Sequence, residues 1–168
     1  MDMLVEKKIV FDLNGKSVEA FEGETILEAA DRVGEKIPRL CFKEGMRPDG
    51  NCRACVVEID GERALAPSCC RYPTEGMKVN SSEGRAKHSQ QVVLELLMAD
   101  MPDQKKSPYN LDSELDFWAD KLEVKQSRFP QRQQPLEDAS HPAISVHLDA
   151  CIQCTRCVRA CREEQVND

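Results

Sequence analysis

The first pattern in the chain is an alternation of apolar and polar residues over positions 4–22, which predicts a β-hairpin. Its centre is Asn14-Gly15, a dipeptide that favours a tight two-residue turn. Apolar residues then recur every three or four positions, which predicts a helix that begins after Thr25 and ends at Gly34. A glutamate three residues after the threonine completes the signature of a capping box.

A second hairpin is predicted from two apolar runs, at positions 56–59 and 64–66, which flank the turn dipeptide Asp60-Gly61. Residues 77–80 predict one further strand. Two hairpins around one helix predict an α+β fold for this first part of the chain.

The middle of the chain, residues 81–128, is predicted to be a helical connector. Its first helix is capped by Ser81 or Ser82 and runs to about Asp100, and its second helix spans roughly residues 113–124. The apolar residues predicted to face the core are Val92, Val93, Leu96 and Leu97 in the first helix, and Leu115, Trp118, Ala119 and Leu122 in the second.

Stretches that contain several prolines predict irregular structure on either side of the second helix. Residues 101–110 are predicted to form a loop, and residues 129–146 a linker that lies over the surface. The three histidines of the chain, His88, His141 and His147, lie in or beside polar segments. They are expected at solvated positions and not as metal ligands.

Composition narrows the classes of partner and compartment. The 168 residues carry a net charge of −7, which argues against nucleic acid or an anionic membrane surface as the main partner. No apolar run has the length of a membrane helix, and the first residues lack the apolar core of a secretory signal. We therefore expect no membrane insertion and a cytoplasmic location. Aromatic residues make up only 5%, so metal sites are expected to contribute to stability.

Nine cysteines are the strongest chemical signal in the chain, and they divide into groups of four, one and four. The first group is Cys41, Cys52, Cys55 and Cys69, spaced C-x10-C-x2-C-x13-C. A pair two residues apart can hold one metal centre from a single turn, and the flanking pair supplies the other two thiolates that an iron–sulfur cluster requires. We therefore predict a [2Fe-2S] site here, with Cys70 as a spare thiol.

Zinc and disulfides are the alternatives for this first group. Four-cysteine zinc sites usually contain two close pairs, whereas only Cys52 and Cys55 are close together in this chain. Disulfides need an oxidising compartment, which no other feature supports. Gly45 and Gly50 in the ten-residue loop favour the cluster, because glycine lets backbone amides approach inorganic sulfide.

The second group, Cys151, Cys154, Cys157 and Cys161, has the C-x2-C-x2-C-x3-C spacing of bacterial ferredoxins and predicts a [4Fe-4S] site. In two-cluster ferredoxins the fourth cysteine of such a run binds the other cluster. Cys161 therefore either completes this site or binds a second [4Fe-4S] cluster. The second arrangement needs a further cysteine run, so we expect the chain to be the front part of a longer polypeptide or complex.

Three arginines, Arg156, Arg159 and Arg162, surround the second group. Positive charge beside a cluster favours its reduced state and raises its reduction potential. The alternative interpretation is that all three lie on a solvated helix face, where their charge has no such role.

These motifs carry a resemblance to a known family. Residues 8–80, with the segments T-I-L-E-A-A, C-R-A-C-V-V-E-I and A-P-S-C, resemble the N-terminal [2Fe-2S] domain shared by the large peripheral subunit of complex I, NAD-linked formate dehydrogenases and iron hydrogenases. The run D-A-C-I-Q-C-T-R-C-V-R-A-C-R-E-E-Q is similar to the stretch that begins a double [4Fe-4S] domain in the large (alpha) subunit of formate dehydrogenase. With the predicted elements, this indicates a β-grasp ferredoxin domain at 1–80, the helical connector at 81–128, the linker at 129–146 and the first half of a [4Fe-4S] ferredoxin-like domain at 147–168.

Many members of that family carry a further motif of one histidine and three cysteines after the first connector helix. In this chain the helix is followed by M-A-D-M-P-D-Q-K-K-S-P-Y-N, which contains none of these ligands. The [4Fe-4S] cluster of that motif is therefore expected to be absent.

The predicted function is electron transfer, because clusters held only by thiolates carry electrons and the chain shows no nucleophile–base pair or glycine-rich nucleotide motif. No catalytic residue is predicted. The resemblance implies a module of a molybdenum- or tungsten-dependent formate dehydrogenase. It would relay electrons between a molybdopterin site, on later sequence or a catalytic subunit, and an NAD-linked FMN-containing partner subunit. The alternatives are the equivalent subunit of NADH:quinone oxidoreductase or of a hydrogenase diaphorase, and a zinc-binding interaction subunit without a redox role.

Overall fold

The computed structural model describes residues 8–101, 113–133, 136, 138–146 and 151–166. Its elements, in chain order, are β1 (Lys8–Leu13), β2 (Lys16–Phe21), α1 (Ile26–Arg32), β3 (Val56–Ile59), β4 (Ala66–Pro67), β5 (Lys78–Asn80), α2 (Gly84–Asp100), α3 (Glu114–Lys121), β6 (Asp138–His141), β7 (Ile144–Val146) and α4 (Arg156–Arg159), the last followed by a π-helical turn, Ala160–Glu164. The first five strands form one mixed sheet in the order β2-β1-β5-β3-β4, and β6 and β7 pair separately. The fold is α+β, as predicted.

The first hairpin is confirmed, since β1 and β2 pair antiparallel along their whole lengths. Asn14 and Gly15 both have positive φ, at 55° and 79°. This is the left-handed backbone that a two-residue hairpin turn requires and that these two residue types adopt most readily. The predicted hairpin residues 4–7 lie outside the described part of the chain.

Helix α1 begins and ends where the sequence predicts. The Thr25 hydroxyl accepts a hydrogen bond from the Glu28 N–H at 3.3 Å, and the Glu28 carboxylate accepts one from the Thr25 N–H at 2.8 Å. Beyond the last helical residue, Gly34 has a φ of +81°, which ends the helix in the left-handed conformation. The helix therefore has defined ends at the point where the chain turns towards the first cysteine.

Strand β5 joins the two hairpins into one sheet. It pairs parallel with β1 on one side and antiparallel with β3 on the other, so the predicted strand at 77–80 is confirmed and lies in the middle of the sheet. The second hairpin is confirmed by the antiparallel pairing of β3 with β4. The core that these strands form with α1 includes Phe11, Leu13, Val18, Ile26, Leu27, Ile37, Val57, Ile59 and Val79, together with Cys55 and Cys69.

Helix α2 is the longest helix of the described residues, and none of the described helices is long and apolar enough to cross a membrane. Its predicted start was wrong, because it begins at Gly84 and neither Ser81 nor Ser82 caps it. The Ser81 N–H instead donates to the Asn14 side-chain oxygen at 2.8 Å, and the Asn14 amide donates to the Ser81 hydroxyl at 2.9 Å. Ser81 therefore links the first hairpin turn to the strand before α2.

The inner face of α2 also differs from the prediction. Its buried residues are Ala86, Gln90, Leu94, Glu95 and Ala99. Of the four residues predicted to face the core, Val92, Val93 and Leu97 are half-buried, and Leu96 is 46% exposed. The prediction failed because it counted only apolar side chains, whereas two of the five buried positions are polar.

Both polar residues on this face are buried because distant segments supply hydrogen-bond partners. The Gln90 amide donates to the carbonyls of Val56 and Ser81, each at 2.9 Å. The Glu95 carboxylate accepts from Arg128 at 2.7 Å. A buried polar group is tolerated when its hydrogen bonds are made, so these contacts set the orientation of α2 on the sheet.

Helix α3 follows its prediction closely. The Ser113 hydroxyl accepts from the Asp116 N–H at 3.2 Å and caps the helix. Trp118 is 8% exposed and belongs to the core, as expected. This second core, here called the connector core, contains Leu40, Ala54, Leu94, Met101, Leu115 and Trp118, and the half-buried Cys52 and Ile152 pack against it.

The predicted linker at 129–146 was wrong in its second half, where β6 and β7 form a hairpin. All seven residues of these two strands are exposed, so the hairpin buries no apolar face, and apolar–polar alternation is limited to the three residues Ile144–Val146. His141, within this hairpin, and His88, on α2, are both exposed, as expected. His147 and all but the first residue of the predicted loop at 101–110 lie outside the described residues.

Replacing Gln90 with leucine should destabilise the fold, because two buried carbonyl groups would lose their donor. We expect a loss of about 2 kcal/mol in the free energy of unfolding, measured by chemical denaturation. The matched control is the same substitution at the exposed Gln133, which should change the unfolding free energy by no more than about 0.5 kcal/mol. Equal losses for the two variants would show that Gln90 does not orient α2.

Candidate metal centre

Pairing of β3 with β4 brings together two of the four cysteines of the first group. Cys55 directly precedes β3, and Cys69 follows β4 by one residue. Ser68 fixes this junction, because its N–H and its hydroxyl both donate to the Cys55 carbonyl, at 3.1 and 2.8 Å. The Cys55 and Cys69 sulfurs lie 3.4 Å apart.

The other two cysteines of the group approach through the loop that follows α1. The Cys41 N–H donates to the Cys52 sulfur at 3.4 Å, and the Cys52 N–H donates to the Cys41 sulfur at 3.5 Å. The Cys52 and Cys69 thiols both lower the pKa of Cys41, which indicates that the two pairs lie close together. The structure therefore brings all four predicted residues to one place, where Cys41, Cys55 and Cys69 are buried and Cys52 is half-buried.

Contacts between the sulfurs shift the thiol pKa values in opposite directions within each pair. The hydrogen bond with Cys52 lowers the pKa of Cys41 to about 2, and the same bond raises the pKa of Cys52. The hydrogen bond with Cys69 lowers the pKa of Cys55 to about 7, while the bonds with Cys41 and Cys55 raise the pKa of Cys69. Each pair can thus share one proton, and the thiolates this leaves are the form of cysteine that binds metals.

Backbone N–H groups around the site also stabilise negative charge on sulfur. Besides the neighbouring thiols, the N–H groups of Cys52 and Asn51 lower the pKa of Cys41, and those of Ala54 and Cys41 oppose the rise in the pKa of Cys52. The loop directs these amides inwards by entering the left-handed region at Gly50 and Arg53, with φ of 63° and 59°. Four thiols held as two close pairs and supplied with N–H donors suit a thiolate-bound iron–sulfur cluster, whereas among the described residues no group of three or more such side chains is arranged to hold a single metal ion.

Cys70 lies directly beside this group on its exposed side. Its sulfur is 3.5 Å from the Cys69 sulfur. It also lies against Gly50, where an added Cβ would come within 3.1 Å of the Cys70 sulfur. The glycine is therefore required both by its φ and by the close approach of this fifth thiol.

The second group of cysteines lies on a more open loop. Cys151, Cys157 and Cys161 are exposed, and Cys154 is half-buried. The backbone enters the left-handed region at Gln153, between the first and second cysteines, and again at Thr155, between the second and third, with φ of 55° and 61°. Helix α4 begins directly after Thr155. The structure therefore shows the second cysteine group on a loop in which three of its four residues are exposed to solvent.

Two of the three arginines near this second group face the first group, which the sequence analysis did not foresee. Arg159 is 5% exposed and donates to the carbonyl of Cys41. Arg156 is half-buried and donates to the carbonyl of Phe42 at 2.7 Å. The solvated-face interpretation was therefore wrong for these two and is confirmed for the exposed Arg162.

Comparison with known proteins agrees with this site. Residues 6–84 match the family described as 2Fe-2S iron-sulfur cluster binding domain. Over 160 residues the chain is 34% identical to an NADH-quinone oxidoreductase subunit of Rhizobium meliloti (strain 1021), a match that covers 93% of this chain and 18% of that protein. Over 165 residues it is 33% identical to NADP-reducing hydrogenase subunit HndD of Solidesulfovibrio fructosivorans, a match that covers 94% of this chain and 28% of that protein.

A solved structure shows the same similarity in three dimensions. The crystal structure of NAD+-reducing [NiFe]-hydrogenase in the H2-reduced state matches with a TM-score of 0.80 and 33% identity, over 93% of this chain and 67% of that chain. The chain spans only 18% and 28% of the lengths of the two curated relatives above. Residues 6–84 therefore belong to the 2Fe-2S iron-sulfur cluster binding domain family, with its ferredoxin-like fold, and the chain is similar along most of its length to subunits of NADH-quinone oxidoreductases and NAD(P)-linked hydrogenases.

Proposed function

We propose that the chain is an electron-transfer module of a larger oxidoreductase, and that Cys41, Cys52, Cys55 and Cys69 hold its [2Fe-2S] cluster. The observation that supports this most directly is the placement of these cysteines as two close pairs in one largely buried site, where the Cys41 and Cys52 N–H groups bond to each other's sulfurs and the Cys55 and Cys69 sulfurs lie 3.4 Å apart. When bound, such a cluster accepts or releases one electron. The family match of residues 6–84 favours iron and sulfide over zinc at this site.

The surrounding residues have defined tasks in this proposal. Cys41, Cys52, Cys55 and Cys69 would hold the cluster as two pairs, since Cys41 bonds to Cys52 through its N–H and the Cys55 sulfur contacts that of Cys69. The inward-pointing amides of the loop stabilise the extra negative charge that the sulfurs carry after reduction. Burial of three of the four thiols limits access of water to the site.

The second group holds a [4Fe-4S] cluster in this proposal. Cys151, Cys154 and Cys157 bind it, and Cys161 is either its fourth ligand or a ligand of a second [4Fe-4S] cluster. The spacing of the four cysteines and the left-handed turns between them support this assignment. Their exposure suits a site that another segment or subunit covers.

For the parent enzyme we propose the alpha subunit of an NAD-linked formate dehydrogenase. The resemblance of residues 149–165 to that subunit supports it, while the relatives compared above support the two alternatives, an NADH:quinone oxidoreductase and an NAD-linked hydrogenase. In each case the partners are a catalytic subunit or segment, with molybdopterin in the formate enzyme, and an NAD-linked FMN-containing subunit. Nine free cysteines suit a reducing compartment, so we place the protein in the cytoplasm.

Anaerobic purification of the 168-residue chain tests the module directly. We expect bound iron with acid-labile sulfide, and a [2Fe-2S] EPR signal after reduction with dithionite. A colourless protein that contains zinc and no sulfide would instead establish the non-redox interaction subunit.

Reduction of the intact complex from its native cells tests the parent enzyme. The complex is treated in turn with formate, hydrogen and NADH, and the reduced cluster signals are recorded. Reduction by formate supports the formate dehydrogenase. Reduction by hydrogen would assign the chain to a hydrogenase. Reduction by NADH, in a complex that passes electrons to quinone and does not respond to formate, would assign it to an NADH:quinone oxidoreductase.

Substitution of single cysteines should separate the ligands from the spare thiol. Cys52→Ser and Cys55→Ser should each abolish the [2Fe-2S] EPR signal and destabilise the first eighty residues, because each removes a thiolate ligand. The matched control is Cys70→Ser, which should keep the signal. If Cys70→Ser abolishes the signal and Cys69→Ser does not, the ligand assignment is wrong.

Replacing Gly50 with alanine should lower the unfolding free energy more than the same substitution at Gly61. Alanine in the left-handed region costs about 1–2 kcal/mol, and its Cβ would also press on the Cys70 sulfur. Gly61→Ala is the control, because that glycine has a φ of +80° with open space around its Cβ. We expect Gly50→Ala to reduce the unfolding free energy by about 1 kcal/mol more than Gly61→Ala does, and to lower the amount of iron bound.

Adding Cys70→Ala to the Gly50→Ala variant should recover the extra loss, since it removes the atom that the new Cβ meets. The same addition to Gly61→Ala should have no comparable effect. Identical behaviour of the two glycine variants would rule out a specific role for the contact between Gly50 and Cys70.

A further inference from the structure

The two cysteine groups meet in a contact between the loop at 41–51 and the segment at 153–159, here called the inter-motif contact. Each of the two segments donates hydrogen bonds to the other. They join Asn51 Nδ2 to the Gln153 carbonyl at 2.6 Å, Thr155 Oγ1 to the Asp49 carboxylate at 2.8 Å, Arg156 to the Phe42 carbonyl at 2.7 Å, and Arg159 to the carbonyls of Arg47, at 2.5 Å, and of Cys41. Next to it, Ile152 packs on the connector core beside Cys52.

Arg159 is the buried centre of the inter-motif contact. Its guanidinium donates to the carbonyls of Cys41 and Arg47 and, at 3.1 Å, to the Thr155 hydroxyl. All three described acceptors are uncharged, whereas two carboxylates of this network bond to other groups: that of the exposed Asp49 to the Thr155 hydroxyl and that of Glu163 to Arg47. A cation at 5% exposure is costly unless negative charge lies close by.

The cysteine group that Arg159 contacts, through the Cys41 carbonyl, is a source of such negative charge when it holds a cluster. Cys41 supplies both a sulfur to that group and the carbonyl that Arg159 binds. A cluster held by four thiolates is negatively charged, and it becomes more negative by one electron on reduction. A fixed positive charge beside it therefore favours the reduced form.

We infer that Arg159 is a positioning residue that belongs to the second cysteine motif in sequence and acts on the first motif in space. Its charge raises the reduction potential of the [2Fe-2S] cluster, and its hydrogen bonds hold the two cysteine groups at a fixed separation. When one electron enters the cluster, no bond to Arg159 forms or breaks; only the attraction between the two charges increases. The inference rests on the proposed [2Fe-2S] site.

The neighbouring arginines show why this role falls to Arg159 and provide a control. Arg156 forms an ion pair with Glu114, so its charge is already balanced. Arg162 is exposed to solvent, where its charge is screened. Arg162→Gln therefore removes the same charge from the same short helical segment without disturbing the inter-motif contact.

The test compares the wild-type 168-residue chain with Arg159→Gln, Arg159→Lys and Arg162→Gln. The midpoint potential of the [2Fe-2S] EPR signal is measured by anaerobic redox titration. Hydrogen exchange at 41–51 and 151–159 is measured on the iron-free forms of the same proteins. The first measurement reports the charge, and the second reports the docking of the two segments without any cluster.

We expect Arg159→Gln to lower the reduced-to-oxidised ratio at a fixed potential at least tenfold, which is about 59 mV for a one-electron couple, and to speed exchange in both segments. Arg159→Lys should keep most of the potential but still speed exchange, because lysine keeps the charge without the fork of donors. Arg162→Gln should change neither quantity.

Equal potential shifts in Arg159→Gln and Arg162→Gln, or unchanged exchange in iron-free Arg159→Gln, would overturn the inference. If Arg159→Gln binds no iron, its potential cannot be measured. The exchange rates of its iron-free form and the potential of Arg159→Lys then test the inference. A wild-type chain without a [2Fe-2S] signal would instead overturn the proposed function, so the two failures are distinguishable.

Discussion

Four sulfur atoms from separate parts of the chain must meet at one buried point, and the first part of the fold is arranged around that requirement. Cys55 and Cys69 are placed by the β3–β4 pairing, whereas Cys41 and Cys52 are placed by a loop that runs from α1. Strand β5 makes this rigid, because it joins the hairpin that carries the second pair to β1. The left-handed turns at Gly50 and Arg53 then direct backbone amides towards the sulfurs.

The helical connector extends this arrangement to the second cysteine group. Leu94 of α2 and Trp118 of α3 pack with Leu40 and Ala54, which flank the first site. The half-buried Ile152 packs against the same residues, so the chain returns to the loop that it left more than a hundred residues earlier. The connector thus holds the second cysteine group beside the first.

Much of the fold was predictable because it depends on residues that are close in sequence. The turn at Asn14-Gly15, the capping box at Thr25 and the end of α1 at Gly34 are each set by residues close in sequence to the feature itself, and each was confirmed. The inner face of α2 was not predictable in this way. Gln90 is buried only because carbonyls from two other segments accept its hydrogen bonds.

The candidate site likewise has features that local sequence determines and features that contacts between distant segments determine. Spacing alone identified which cysteines form two groups of four, because a ligand loop imposes its spacing on the sequence. The buried position of Arg159 depends instead on a carbonyl 118 residues away, and no local pattern distinguishes it from the exposed Arg162. The sequence by itself thus determined the number and spacing of the two cysteine groups, and only the tertiary structure decided which arginine is buried beside the first group, because burial depends on contacts between distant segments.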